Sequence, residues 1–373
     1  MKRKQTAIIL VSVGVLGLLA LAALRVFEPA RGERKARLTG APMASPRSIS
    51  PAGVSGASET NAPANAETLL ARHRSLILSS RYGTAPIREV LRELSEATGG
   101  PDVQLIFQAL ALRKNEALPV VKERLRAGAM YEKHLLTKFL RLCPWPETKP
   151  ELLALAGERG EQWLPRQGAL YALGALGDVS VGPEVVGILR DPACPNGVRL
   201  VSIATLARIG YREGAAAIRP CTEDPDLHLR LFAWRALAEL GEPVNRDFLL
   251  AALQNEEYLI RQEACEALAA AGGAGLSERL QSMARNDPHE AVRDAAAQAL
   301  LQQEIRDLTP AQKLALLGRR LEGAERHNAL WIIQTILAQC GAEGRAFVGT
   351  LASENSRLGE RASALLILSA NTL

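Results

Sequence analysis

The side chains with the widest chemical repertoire in this 373-residue chain are five histidines and five cysteines. A metal site needs such groups at ligand spacing, on one helix face or in paired turns. His73, His134, His228, His289 and His327 offer no i, i+4 pair. Cys143, Cys194, Cys221, Cys265 and Cys340 offer no Cys-x-x-Cys, and an odd count cannot complete a disulfide framework. Cys194 and Cys221 lie near successive turns, so a bridge between them stays open, whereas Cys265 reads as a small buried thiol beside an apolar face. His289-Glu290 is the one His-Glu step, and it is not repeated. The sequence therefore assigns no catalytic residue, no metal ligand and no cofactor, and the expectation is a non-enzymatic protein.

A different residue does recur. Arg166, Arg199, Arg230, Arg261 and Arg293 each head a run of small and aliphatic residues, at intervals of 33, 31, 31 and 32. An arginine ladder suggests anion binding, but its regular spacing suits a structural staple better. An Arg one turn into a helix, six residues after an Asp, can bond that Asp or carbonyls of the neighbouring turn.

The elements that must position these arginines follow from the period. Counting from each Arg, apolar residues recur at +3, +6, +7 and +10, on one face of a helix, with no period-two alternation. Alanines at +3 and +6 allow close helix approach, and leucine at +7 fills the space between layers. Gly177, Gly210, Gly241 and Gly272 at +11 provide left-handed stops. A shorter apolar helix precedes each, as in 182–191, 245–255 and 276–287. Between the two lies Asp191-Pro192, Asp224-Pro225, Asn255 or Asp287-Pro288, read as an N-cap followed by a helix-starting proline. Helix hairpins of this length cannot bury their apolar face alone and must stack.

The order Asp-Pro, Val-Arg, A-x-x-A-L, L-G resembles HEAT repeats, closest to the short bacterial type also called phycobilisome-lyase HEAT-like repeats. The resemblance is strongest over 160–304. It extends more weakly upstream through Val103 and Lys133 and downstream through Arg326 and Arg361. It implies an all-α, right-handed α-solenoid over 66–373. Two departures affect local turns: Glu304 stands where glycine is expected, and eight residues rather than six separate Asp191 from Arg199. The repeat type also occurs in phycobilin lyases and in iron-dependent deoxyhypusine hydroxylases. The latter use repeated His-Glu pairs, and this chain has Gln262-Glu263 and Asp294-Ala295 at the corresponding helix positions. A shared fold transfers no activity.

The front of the chain is unlike the rest. Residues 7–24 carry no charge and follow Lys2-Arg3-Lys4, as in a membrane anchor or a cleavable signal peptide, with Ala20-Leu21-Ala22 as a potential cleavage site. Residues 1–25 are assigned to this segment and 26–65 to a flexible Ala/Ser/Pro/Gly-rich linker. The positive charges packed before the apolar run favour an N-terminus inside a bacterial inner membrane and an array in the periplasm. Arg25, Arg31, Arg34, Lys35 and Arg37 argue the other way. Cleavage would release a soluble periplasmic or secreted protein.

Residues 1–65 hold nine Lys/Arg and three Glu, so the chain's net charge of +5 leaves the array at −1. A near-neutral array lacks the charge to displace counterions from nucleic acid, so the partner expected is a protein. The helix face at +2, +5 and +9 points away from the core and carries Tyr171, Arg208, Phe232, Arg235, Glu239, Glu263 and Glu266. Phe232, expected in solvent, reads as an interface anchor. Trp234 and Trp331 read as packing residues, and Pro144-Trp145-Pro146 as a rigid loop that could form an exposed knob.

Overall fold

The computed structural model describes residues 62–96, 101–273, 276–322, 324, 326–352 and 357–369. The apolar run 7–24 and the low-complexity stretch up to residue 61 lie outside the described residues. Helix Ala62–Ser79 takes up the last residues assigned to the linker. Among the described residues there are helices and turns but no strand, and no helix is long and apolar enough to cross a membrane.

The repeating segments form one continuous row of inner helices. These are Met130–Leu142, Trp163–Leu176, Asn196–Arg208, Leu227–Glu239, Tyr258–Ala271, Glu290–Ile305 and Arg326–Gln339, each packed on the next. A shorter outer segment backs each from the second onward, as Gly182–Arg190 backs Asn196–Arg208 and Leu276–Asn286 backs Glu290–Ile305. The alanine register makes the stacking close. Ala169, Ala172, Ala233, Ala236, Ala264, Ala267, Ala296 and Ala299 are all buried, as are Leu173, Leu206, Leu237 and Leu268. Leu300, the fifth leucine of the series, is half-buried. Gly177, Gly210, Gly241 and Gly272 have φ of 68°, 71°, 82° and 61°, the left-handed region that ends a helix at little cost for glycine. Where Glu304 replaces glycine, the helix runs on to Ile305.

The Asp/Asn residues between the helices do something other than N-capping. Asp191, Asp224, Asn255 and Asp287 each accept, through the side chain, the backbone N–H two residues on: Ala193 (3.0 Å), Asp226 (3.0 Å), Glu257 (2.9 Å) and His289 (2.9 Å). These are Asx turns set ahead of the helix start. The N-cap positions are Pro195, Asp226, Glu257 and His289, so Pro192, Pro225 and Pro288 stiffen the turn and do not open the helix.

The arginine ladder is structural but varied. Arg199 reaches forward to Asp224 in the next unit (3.0 Å), and Arg261 takes Asp287 with two bonds of 2.8 and 2.9 Å. Lys133 occupies the same register and pairs with Glu161. Arg166 is buried and donates to the Ala156 carbonyl (3.0 Å). Arg293 donates back to the Asp287 carbonyl (2.9 Å). Arg230, whose next-unit counterpart is the neutral Asn255, lies over the Phe248 ring, 4.9 Å from its centroid. The two forward Arg–Asp pairs each tie a layer to its successor, because the Asx turn holds the carboxylate in place.

The row also returns on itself. Ala62–Ser79 packs against Gly341–Ala352, and Pro101–Leu112 packs against Arg357–Ser369. Ile367 and Leu368 belong to the same buried cluster as Tyr82, Leu110 and Leu136, and Leu70 touches both that cluster and the C-terminal one. The two ends of the array are thereby joined in a closed circuit of helices.

Candidate functional site

Inside the curve, the inner helices line a chamber of about 670 Å³. All seven residues singled out at +2, +5 and +9 contribute to its wall: Tyr171, Arg208, Phe232, Arg235, Glu239, Glu263 and Glu266. They come together because one helical offset, repeated by stacked helices of equal pitch, maps onto one continuous surface. Gln298 and Trp331, at +5 from Arg293 and Arg326, also line it, as do Arg141, Arg306, Lys313 and Gln339 at positions the offsets did not single out.

Two aromatic expectations change. Phe232 is half-buried and packs against the core, so it is a wall residue and not a free anchor. Trp145 is fully buried, edge-on to Phe139 at 5.0 Å, and forms no knob, because its flanking prolines turn the ring inward. Trp234 and Trp331 are half-buried packing residues as expected, with Trp331 also facing the chamber.

The acids of the chamber are grouped between cations, with Arg141 and Arg208 before them along the row of helices and Arg306 and Lys313 after them. The acidic part lies on Leu227–Glu239 and Tyr258–Ala271. There Arg235 binds Glu239 (2.8 Å) and Glu266, and although burial works against its charge the two carboxylates hold its pKa above the ordinary value. His228 Nδ1 sits 2.9 Å from Glu263. Burial pushes the Glu263 carboxyl up to about 7 against the opposing pull of His228. Burial also opposes protonation of His228, but the Glu263 contact prevails and raises its pKa. The two groups lie in contact, with side chains only 13% and 15% exposed, so the proton affinity of each depends on the other. The histidine itself was outside the positions read from sequence, since residue 228 lies two before the register arginine.

The preceding basic part lies on Met130–Leu142 and Asn196–Arg208. The Arg141 guanidinium lies over the Tyr171 ring, 4.7 Å from its centroid. Burial lowers its pKa and the charge of Arg208 lowers it further. Lys138 is likewise lowered by burial and then by Arg141. Gly174 lets the Arg208 side chain cross the neighbouring helix, since a Cβ there would stand 3.2 Å from Arg208 Cδ. A side cavity of about 30 Å³ shares Arg141 and Tyr171 with the chamber and is also lined by His134, Lys138 and Gln167.

None of the cysteines lines the chamber. Cys143, Cys194, Cys221, Cys265 and Cys340 are all buried free thiols, so Cys194 and Cys221 are not bridged. Burial pushes the Cys265 thiol up to about 12. His289 caps a helix and stacks on Tyr258 at 3.5 Å. Among the described residues, no group of three His, Cys, Asp or Glu is placed to hold a metal ion.

The family model for HEAT repeats matches residues 188–269 and 245–301, so the central units are HEAT repeats. Among solved structures, the chain is similar to the complex of CpcE and CpcF of phycocyanin lyase from Nostoc sp. PCC7120. The identity is 18%, covering 58% of this chain and 93% of that one, with a TM-score of 0.36. It is similar also to human deoxyhypusine hydroxylase in complex with glycerol, at 19% identity over 58% of this chain and 96% of that one, with a TM-score of 0.27. A comparison with curated proteins found no match.

Proposed function

We propose that this protein is a non-catalytic, membrane-tethered binding protein that holds a segment of a protein partner in the chamber formed by its inner helices. The observation that carries this reading is the convergence of the seven face residues on one chamber whose acids are grouped between cations. A volume of about 670 Å³ falls within the range of pockets that take up small ligands or a few side chains. A segment carrying both signs of charge complements such a wall, whereas a uniformly anionic nucleic acid does not. The uncharged run 7–24 and the low-complexity stretch after it support tethering, which raises the effective concentration of the array for partners in the same membrane. The basic residues before that run support an array on the periplasmic side of a bacterial inner membrane; a cleaved, soluble form is the alternative.

The test is photo-crosslinking in the native membrane, with a crosslinking amino acid at Glu239 in the chamber or at Arg190 on the outer helices. A discrete protein adduct from Glu239 alone is expected. Equal labelling from both positions would refute chamber binding. Intact mass of the mature chain, starting at Met1 or trimmed after the apolar run, separates the tethered form from the cleaved one.

A further inference from the structure

The acids of the chamber are already occupied. Glu239 and Glu266 hold Arg235, and Glu263 holds His228. Two further cations of the lining also have neutral partners: Arg306 donates to the Ala269 and Ala270 carbonyls, and Lys313 to Gln339. Arg141 and Arg208 remain, with Lys138 beside Arg141. Among the described residues none of the three has a carboxylate partner, and Arg208 is exposed within the chamber. Cations brought together without an acid repel one another, and the arrangement is relieved when an anion enters.

A second observation points to the same place. Gln167 is 1% exposed, yet neither its Oε1 nor its Nε2 has a hydrogen-bond partner among the described residues, and it lines the side cavity that Arg141 and Tyr171 share with the chamber. A buried amide with both ends free costs stability unless something completes it.

We infer that Lys138, Arg141 and Arg208, with Tyr171 and Gln167 beside them, form a binding site for an oxyanionic group, a carboxylate or a phosphate, carried by the molecule that enters the chamber. The guanidiniums supply planar donor pairs suited to such oxygens, the tyrosine ring holds Arg141 in place, and Gln167 offers an amide N–H from the side cavity. The site deepens the proposed function by stating which end of a bound segment lies where: its acidic group sits at Met130–Leu142, and its basic group faces Glu239 and Glu266, two carboxylates that share the single charge of Arg235.

The test uses the full chain in detergent micelles and isothermal titration with two probes, acetyl-Gly-Glu-Glu-Gly-amide and inorganic phosphate. The expected result is measurable binding of at least one, weakened about tenfold or more in Arg141→Gln/Arg208→Gln and weakened by added salt. Peptide binding assigns the carboxylate source, and binding of phosphate alone assigns the phosphate. Arg219→Gln, at an exposed pair with Glu242 outside the chamber, should bind as the native protein does. If the double variant melts early, Arg208→Gln alone gives the same reading, since that side chain is exposed and Gln keeps the part of its stem that crosses Gly174. Failure of both probes to bind, or unchanged binding in the variants, would overturn the site. No partner is present in this titration, so its failure leaves the crosslink at Glu239 standing, and its success does not depend on that crosslink.

Discussion

Arg261 gives the sharpest measure of what the ladder contributes. Its guanidinium makes two parallel bonds to Asp287, and the two side chains are 12% and 6% exposed. It also donates to the Asn255 and Glu256 carbonyls at 2.8 and 3.0 Å. Removing one partner of a fully buried pair costs about 3–5 kcal/mol, because a charge is left without compensation. Here Asp287 keeps the His289 N–H at 2.9 Å and some contact with water, which reduces the expected loss for Arg261→Ala to about 2–3 kcal/mol. For an array of this size that corresponds to a fall of about 4–6 °C in Tm by calorimetry. The pH dependence is also fixed in sign. Arg261 holds the Asp287 carboxyl below its ordinary value, so the stabilisation is complete above the unfolded carboxyl pKa of about 4 and fades as pH falls below it. The gap between native and variant Tm should therefore be full at pH 7 and close as the pH drops through and below about 4. In a double-mutant cycle, Asp287→Ala should recover part of the loss caused by Arg261→Ala. A variant Tm within 1 °C of native, or a gap independent of pH, would refute the staple and return the ladder to a binding role.

Other consequences can be measured on the same protein. Glu263 and His228 both bind protons more tightly folded than unfolded, so stability should fall as pH rises from about 5 to 8. Glu263→Gln should flatten that slope in a thermal-melt series. The five buried thiols should resist Ellman's reagent at pH 8 and all react in guanidinium; three or fewer reacting would mark a bridge absent from this fold. Leu70→Ala, at the joint between the two ends, should cost about 1–2 kcal/mol for a half-buried side chain. It should also raise deuterium uptake together in 62–79 and 341–352; uptake in one segment alone would count against the joint.

How much of this was legible in the sequence depends on whether the determinant repeats. The inner helices, the glycine stops and the chamber face follow from one offset pattern, and Ala169, Leu173, Gly177 and Tyr171 all sit where the period places them. The forward reach of Arg199 and Arg261 was half legible: the residue type and spacing implied a bond to an Asp, but not that the Asp belongs to the following unit. The Asx turns were mistaken for caps because Asp serves both roles and the two differ by a shift of two residues. Phe232 was misread because the +2 position varies between units, buried at Val201 and Ala295 but half-buried at Glu263, while Trp145, open to a buried or a knob placement, has no counterpart in other units against which burial could be judged. In the basic part of the chamber Arg208 was singled out, but Arg141 and Lys138 were missed for a related reason. Lys133 heads a weakly matching unit, yet counting five onward reaches Lys138, the same offset as Tyr171 and Arg235. The joining of the ends carries no local signal at all, since Ala62–Ser79 and Gly341–Ala352 meet only once every intervening turn has been made.

That joint changes what the chamber can accept. In an open solenoid, each layer contacts only its neighbours, and small rotations between layers let the concave face widen or narrow. Here widening must separate Ala62–Ser79 from Gly341–Ala352 and expose Leu70, Ile367 and Leu368 together. Curvature is thus held by apolar burial that an open array would lack, and the spacing between Arg208 and Glu266 across the stacked helices is held with it. A segment whose charges match that spacing binds a wall already in place, whereas one that needs a wider chamber must break the joint and loses affinity by the cost of opening it. Specificity then resides in the closure as much as in the side chains it positions. A variant that loosens the joint should bind mismatched acidic and basic segments more evenly than the native protein, while leaving the Arg141 and Arg208 site able to hold a single anion.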